Sequence, residues 1–192
     1  MALVNRERVL RAATSSFLAH GYGSSVDVIA RRAGVAKQTV YHHFPSKDEL
    51  FKEVARDLAK RVLVELEAEP RDLRATLVRF ALAYRRRVLG AQGIATFRAL
   101  VPEVPRFRVL ARAMYAAGAG EMLRRLSVYL GKAMAAGQLR RDAAEPAAEL
   151  LLGMLVGHDR VRRLFGVAPS AESETERTAR IVDCFLRAYS PR

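Results

Sequence analysis

The sequence holds no tryptophan, one cysteine and four histidines in 192 residues. Each scarcity excludes something. The lone Cys184 cannot close an intramolecular disulfide, which suits the reducing conditions of a cytoplasm. It falls on the apolar face of a predicted helix, where a thiol packs as a small hydrophobe. His20, His42, His43 and His158 are too dispersed for a zinc set. There is no glycine-rich phosphate loop and no nucleophile elbow. The expectation is a protein that is no enzyme and needs neither metal nor cofactor. Long apolar runs are also missing. The longest, Leu150 to Val156, is interrupted by Gly153 and falls far short of the ~20 residues that span a bilayer. With no start resembling a signal peptide, the expected location is cytoplasmic, with no membrane partner. No strand candidate, internal repeat or low-complexity tract stands out.

What the chain does have is positive charge. Lysine and arginine number 33 against 20 carboxylates, for a formal net charge of +13. Such a balance favours polyanionic partners. It is not concentrated at the N-terminus, however. Residues 1–50 carry a net charge of only +3, which leaves +10 for the remainder. An arginine-rich solvated surface accounts for most of the excess, so charge alone is loose support for nucleic-acid binding.

Local pattern says more. Ser25 stands as an N-cap before Val26-Asp27-Val28-Ile29-Ala30. Val28, Ile29 and Ala33 share one side of a helix, with Arg31 and Arg32 away from it. Gly34 follows where a positive φ is needed, and Val35 plugs the angle. A second short helix runs from about Ala36 to His43. It turns Val40 inward and Lys37, Gln38, Thr39, Tyr41 and His42 largely outward. Pro45 stops it by disfavouring helix at Phe44. The layout is a helix-turn-helix, whose second helix enters the DNA major groove. Before it, Leu10, Ala13 and Phe17 mark a first helix over about 5–20. After it, Ser46-Lys47-Asp48-Glu49 reads as a capping box opening a helix to about residue 67, with Phe51, Val54, Leu58 and Val62 inward.

The stretch AGVAKQTVYHHFPSKDELF, with the lead-in RERVLRAATSSFLAHGYGSSVDVIA, resembles the signature of the TetR family of transcriptional regulators. The likeness runs over about residues 5–62 and includes Phe17, Gly21, Tyr22, Ile29, Gly34, Tyr41, Phe44, Lys47 and Phe51. Two departures stand out. The segment after Gly21-Tyr22 is one residue shorter than is usual, and Gln38 replaces a residue that is commonly glycine or small.

The remaining chain reads as helices over about 71–89, 94–100, 106–135, 146–165 and 172–189, with Gly118 and Gly120 as weak points in the long third one. Arg85-Arg86-Arg87 reads as a solvated helix end that complements the helix dipole. The whole is expected to be all-α: an N-terminal three-helix DNA-binding domain (residues 1–48) and a larger helical regulatory and dimerisation domain (49–192), joined by the helix over 47–67. The last two helices are apolar beyond a single stripe and so ask for a partner. In TetR-like proteins that pair forms a four-helix bundle across a two-fold axis. The resemblance thus implies a homodimer, with Leu151, Leu155, Arg162, Ile181, Phe185 and Tyr189 as interface candidates. It also implies an effector pocket, which Phe80, Tyr84, Phe97, Met114, Tyr115, Met122, Met154 and His158 could line. Such a stripe is otherwise plain core.

For DNA, Ser25, Thr39, Tyr41 and Lys47 are positioned to hold phosphates, and Tyr41 and His42 match family positions that contact the backbone. Lys37, Gln38 and His42 are placed to read bases: glutamine bonds adenine twice, and lysine reaches guanine acceptors. The expected function is a sequence-specific repressor released from double-stranded operator DNA by a small apolar or aromatic effector. Two other readings stay open: a helical interaction or ligand-binding module without regulation, and a non-specific nucleoid binder.

Overall fold

A computed structural model describes residues 2–63, 66, 72–168 and 172–191. Among them are ten α-helices, short 3-10 and π turns, and no strand. None of these helices is long and apolar enough to cross a membrane. The chain divides into two compact units. One comprises residues 1–58 and 95–119; the other comprises 59–94 and 120–192.

In the first unit, α1 (Ala2–His20) ends at Gly21, whose φ of +59 opens a 3-10 turn through Gly23. The Ser25 hydroxyl accepts the Val28 N–H at 3.3 Å and caps α2 (Val26–Ala33). Gly34 then adopts φ +63 and returns its N–H to the carbonyls of Ala30 and Arg31. This is the left-handed residue that a sharp interhelical turn requires, and it is cheap only for glycine. α3 (Lys37–His43) follows, and Phe44 swings to extended backbone ahead of Pro45. α4 (Lys47–Leu63) starts on Ser46, whose hydroxyl accepts the Glu49 N–H at 3.1 Å. The reciprocal half of the expected capping box does not form, because the Glu49 carboxylate takes a 2.5 Å ion pair with Lys52 instead.

The core of this unit is Val9, Ala13, Phe17, Ile29, Val40, Phe44, Leu50, Phe51 and Val54. Each fully buried Ile, Leu, Val or Phe contributes about 1.5–3 kcal/mol of apolar burial. The inward role expected for Leu58 and Val62, and the end of that helix near residue 67, lie outside the described side chains or residues. Leu100, Phe107 and Met114 pack onto the same core, so the later segment belongs to the unit that carries the helix-turn-helix.

The second unit packs α5 (Leu73–Leu89), α8 (Glu121–Ala135), α9 (Ala144–Leu164) and α10 (Glu174–Ala188) around Leu77, Phe80, Leu126, Leu130, Leu151, Leu155, Val182 and Phe185. α6 (Ala91–Leu100) crosses the boundary between units. The single helix expected over 106–135 is in fact two: α7 (Arg108–Tyr115), a π turn over Ala116–Gly120, then α8. Gly118 and Gly120 lie in that π turn, where small residues tolerate the irregular backbone.

Two corrections concern Arg85 and Gly157. Arg85 does not sit on a solvated helix end; it is 1% exposed. Its guanidinium donates to Glu174 at 2.6 Å, to Asp159 at 2.9 Å and to the Leu155 carbonyl at 2.5 Å. α9 is also not regular: Gly157 has φ +38 and ψ −137. That kink disturbs the helical hydrogen bonding around it, and the Leu155 oxygen accepts the arginine. Asp159 further accepts from Arg177 at 2.8 Å. Despite its burial, this carboxyl is held below its usual pKa by the two guanidiniums.

Candidate nucleic-acid interface

α3 presents one covered and one open side. Val40 is buried, Thr39 and His43 are half-buried, and Lys37, Gln38, Tyr41 and His42 are exposed. Val40 thus anchors the helix to the core, and the side chains that can hydrogen-bond face water. His42 and His43 lie edge to face at 5.3 Å, and His43 rests on Phe44. The open face therefore carries an ammonium, a carboxamide, a phenol and an imidazole within two turns of helix. Those are the donors and acceptors needed for base edges and phosphate oxygens.

The surroundings fix this helix. Arg8 of α1 reaches the Gly34 carbonyl, Arg32 donates to Ser16 at 3.1 Å, and Arg6 lies 5.2 Å over the Phe44 ring. None of these ties is visible in local periodicity, since each joins distant parts of the chain. Lys37 pairs with Asp27 of α2 at 3.0 Å. The hydrogen bond to that carboxylate raises the lysine pKa, keeping it cationic. The pair is exposed, so a phosphate or a guanine can compete for the ammonium.

Lys47, the first residue of α4, is half-buried with its ammonium 4.1 Å from the centre of the Tyr22 ring. Burial lowers its pKa. The Tyr22 hydroxyl donates to the Asp48 carboxylate. Burial, followed by that bond, pushes the phenol up to about 12. Ser25 is exposed, and its oxygen is engaged as the cap of α2.

The body residues fall in separate places. Phe80 and Met122 are buried, Tyr84 stacks on Phe80 at 5.9 Å, and Met154 packs on the same core. His158 is exposed. Phe97, Met114 and Tyr115 belong to the first unit, with Tyr115 60% exposed. A groove of about 250 Å³ in the second unit is lined by Leu66, Arg124, Arg125, Val128, Tyr129 and Lys132, none of them in that set. Of the interface candidates, Leu151, Leu155, Phe185 and Tyr189 are closed off inside the chain. Only Arg162 and Ile181 are partly open. Periodicity assigned these helices a wide apolar face, but much of it serves their own core. Leu150 and Val161 on α9, with Phe165 just beyond it, carry the exposed apolar surface.

A short helix held across a left-handed glycine turn, with its polar face free, defines a helix-turn-helix DNA-binding protein. Residues 9–54 match the family model described as bacterial regulatory proteins, tetR family. Residues 75–191 match that of the AefR-like transcriptional repressor, C-terminal domain. The chain belongs to the TetR family of transcriptional regulators.

A curated relative, the uncharacterised HTH-type transcriptional regulator YhgD of Bacillus subtilis (strain 168), is 38% identical over 63 residues, or 32% of this chain and 33% of the relative. The match thus spans about a third of that protein. Among solved structures, a TetR-family regulator from Mesorhizobium loti MAFF303099 aligns with TM-score 0.77 at 25% identity, over 99% of this chain and 98% of its own. The flavonoid-responsive regulator FrrA aligns with TM-score 0.75 at 31% identity, over 98% of each chain.

Proposed function

We propose that this chain is a homodimeric, sequence-specific transcriptional repressor that leaves its operator when a small apolar or aromatic molecule binds the C-terminal unit. The observation that carries the reading is the exposed face of α3, with Lys37, Gln38, Tyr41 and His42 open above a buried Val40. In this reading Lys37 and Gln38 read bases, and Thr39, Tyr41 and Lys47 hold phosphates. Ser25 serves mainly by capping α2, so that the N–H groups at that helix start stay aligned. Dimerisation places two copies of α3 in successive major grooves, which requires an operator with two-fold symmetry. α9 and α10 supply the dimer surface through their outward residues, among them Leu150, Val161, Arg162 and Ile181.

The effector class has two supports. Phe80, Tyr84, Met122 and Met154 concentrate aromatic and thioether surface in one unit, and such groups suit apolar ligands. The structurally similar FrrA is by name responsive to flavonoids. For release, the effector must bind the form that does not hold DNA more tightly than the form that does. The helix beginning at Lys47 is the lever, since its start carries a phosphate contact and the chain beyond it leads into the effector-binding unit. Action on the chromosome from the cytoplasm, without catalysis, completes the reading.

The test is selection of bound sequences from random duplexes at physiological salt, with wild type and Tyr41→Ala in parallel. A palindrome recovered by wild type and weakened in the variant supports the proposal. Equal recovery without any motif sinks it. Addition of flavonoid-like aromatics should then raise the melting temperature of the protein and release the selected duplex.

A further inference from the structure

The Lys47 side chain does not stand alone at the start of α4. Its ammonium rests 4.1 Å from the centre of the Tyr22 ring. That ring is held on several sides. Phe51 of α4 meets it at 5.1 Å and 60°, and Phe17 of α1 backs Phe51 at 4.6 Å. The Tyr22 hydroxyl donates to Asp48, the residue after Lys47. From a different part of the chain, Phe107 meets the ring at 5.1 Å and 61°, with Arg106 lying 5.0 Å over Phe107. The end of α6 also approaches the turn that bears Tyr22: the Ala99 carbonyl lies 3.6 Å from where a Cβ on Gly21 would stand.

The chain of neighbours is therefore Arg106, Phe107, Tyr22, Lys47, all within one compact unit. A lysine ammonium on a four-carbon stem has many rotamers, and an aromatic face narrows them by attracting the cation. The face works only while the ring is fixed. Edge-to-face aromatic contacts are directional and so fix it. Among the described ring contacts to Tyr22, Phe107 supplies the one from outside the helix-turn-helix and α4.

We infer that Phe107 is a positioning residue for DNA binding: through the Tyr22 ring it pre-sets the Lys47 ammonium at the start of α4, where a phosphate oxygen is to be met. The inference rests on the proposed role of Lys47 as a phosphate contact. It deepens that role by assigning part of the DNA affinity to a residue that touches no DNA and lies far beyond the start of α4 in the sequence.

The test is a double-mutant cycle on the selected duplex, with affinities of wild type, Phe107→Leu, Lys47→Ala and the double variant measured at one salt concentration. Leucine keeps apolar bulk and removes the ring. Phe107→Leu should weaken binding about three- to tenfold, the range expected from loosening one ring platform under a cation. In the Lys47→Ala background the same change should cost nothing further, and Phe107→Tyr, which keeps the ring, should bind like wild type. Thermal melting of each variant reports folding separately. Wild-type affinity in Phe107→Leu would overturn the inference. So would additive losses in the double variant, which would mean that Phe107 acts by general stability. If Lys47→Ala binds normally while Tyr41→Ala is impaired, the positioning role falls and the repressor reading stands. If Tyr41→Ala is also unimpaired, both fall.

Discussion

The helix α3 and the C-terminal unit handle charge differently. On α3 the cation Lys37 and its polar neighbours are open, and the partner of Lys37 is an exposed carboxylate one helix away. In the C-terminal unit, many arginines are matched to carboxylates, some across helices and some within one. Arg74 forks onto Asp183 at 2.7 and 2.9 Å. Arg124 and Arg125 converge on Glu121, whose pKa falls to about 2 through those bonds. Arg85 and Arg177 clamp Asp159, and Arg180 pairs with Glu172. The C-terminal unit thus engages many of its cations in ion pairs. Net charge counts groups without saying which are available. Availability is a property of the fold, and here the polar face of α3 offers it.

The most forceful way to break this comparison is to remove the buried clamp. Arg85→Met should destabilise the protein by about 3–5 kcal/mol, because Asp159 keeps only Arg177 while Glu174 and the Leu155 carbonyl lose their buried donor. Chemical denaturation measures the loss. Asp159→Asn added to Arg85→Met should recover part of it, since the buried carboxylate left with one guanidinium is gone. A loss under about 1 kcal/mol for the single variant would mean that water reaches Asp159 freely.

A second change acts on the turn. Gly34→Ala should cost about 1–2 kcal/mol from its positive φ, with the Arg8 side chain obliged to move as well. Because the strain falls between α2 and α3, DNA affinity should drop with stability. A variant as stable as wild type would contradict the left-handed geometry.

Gln38→Ala sharpens the reading of α3. Discrimination at one operator position should weaken by about 1–3 kcal/mol, the worth of a bidentate base contact, while affinity for unrelated duplexes stays unchanged. Repeating the selection with the variant shows whether a single position relaxes. A uniform loss across all sequences would reassign Gln38 to the phosphates.

The smallest effect concerns pH. The Tyr22 phenol titrates near 12 in the folded chain against an ordinary value near 10. Its folded value is the higher one, so the stability it contributes is complete below pH 10 and is lost as pH rises through about 12. Tyr22→Phe loses the hydrogen bond to Asp48 and should be less stable than wild type at neutral pH. The difference between the two should shrink between pH 10 and 12. A gap that stays constant over that range would mean that burial and the Asp48 bond do not raise the phenol in the folded chain.

The elements most legible in the sequence are those set by near neighbours. Ser25, Gly34 and Pro45 mark the ends of α2 and α3 through local backbone chemistry, so the helix-turn-helix could be placed almost residue by residue. Gly118 and Gly120 marked weak points in the long helix for the same reason, though not its division into two. Arg85 was misread because its partners, Leu155, Asp159 and Glu174, lie 70, 74 and 89 residues away, and no local pattern records them. The apolar width of α9 and α10 was visible, but periodicity does not say whether Leu151 or Leu150 faces the protomer's own core. Tyr22 was noted only as part of the family signature. Its contacts with Lys47 and Phe107 depend on how a later segment returns to the first unit.

The central claim is that DNA is met by α3 and the start of α4 and not by the general positive charge. It is tested most directly by the salt dependence of affinity for the selected duplex, in wild type, Lys47→Ala and Arg124→Gln. Removing one cation that neutralises a phosphate should lower the slope of log affinity against log salt by about one. The slope should be shallower for Lys47→Ala and unchanged for Arg124→Gln, although both variants remove one positive charge. Equal slopes for the two variants would contradict the claim, because charge at any place on the surface would then count alike.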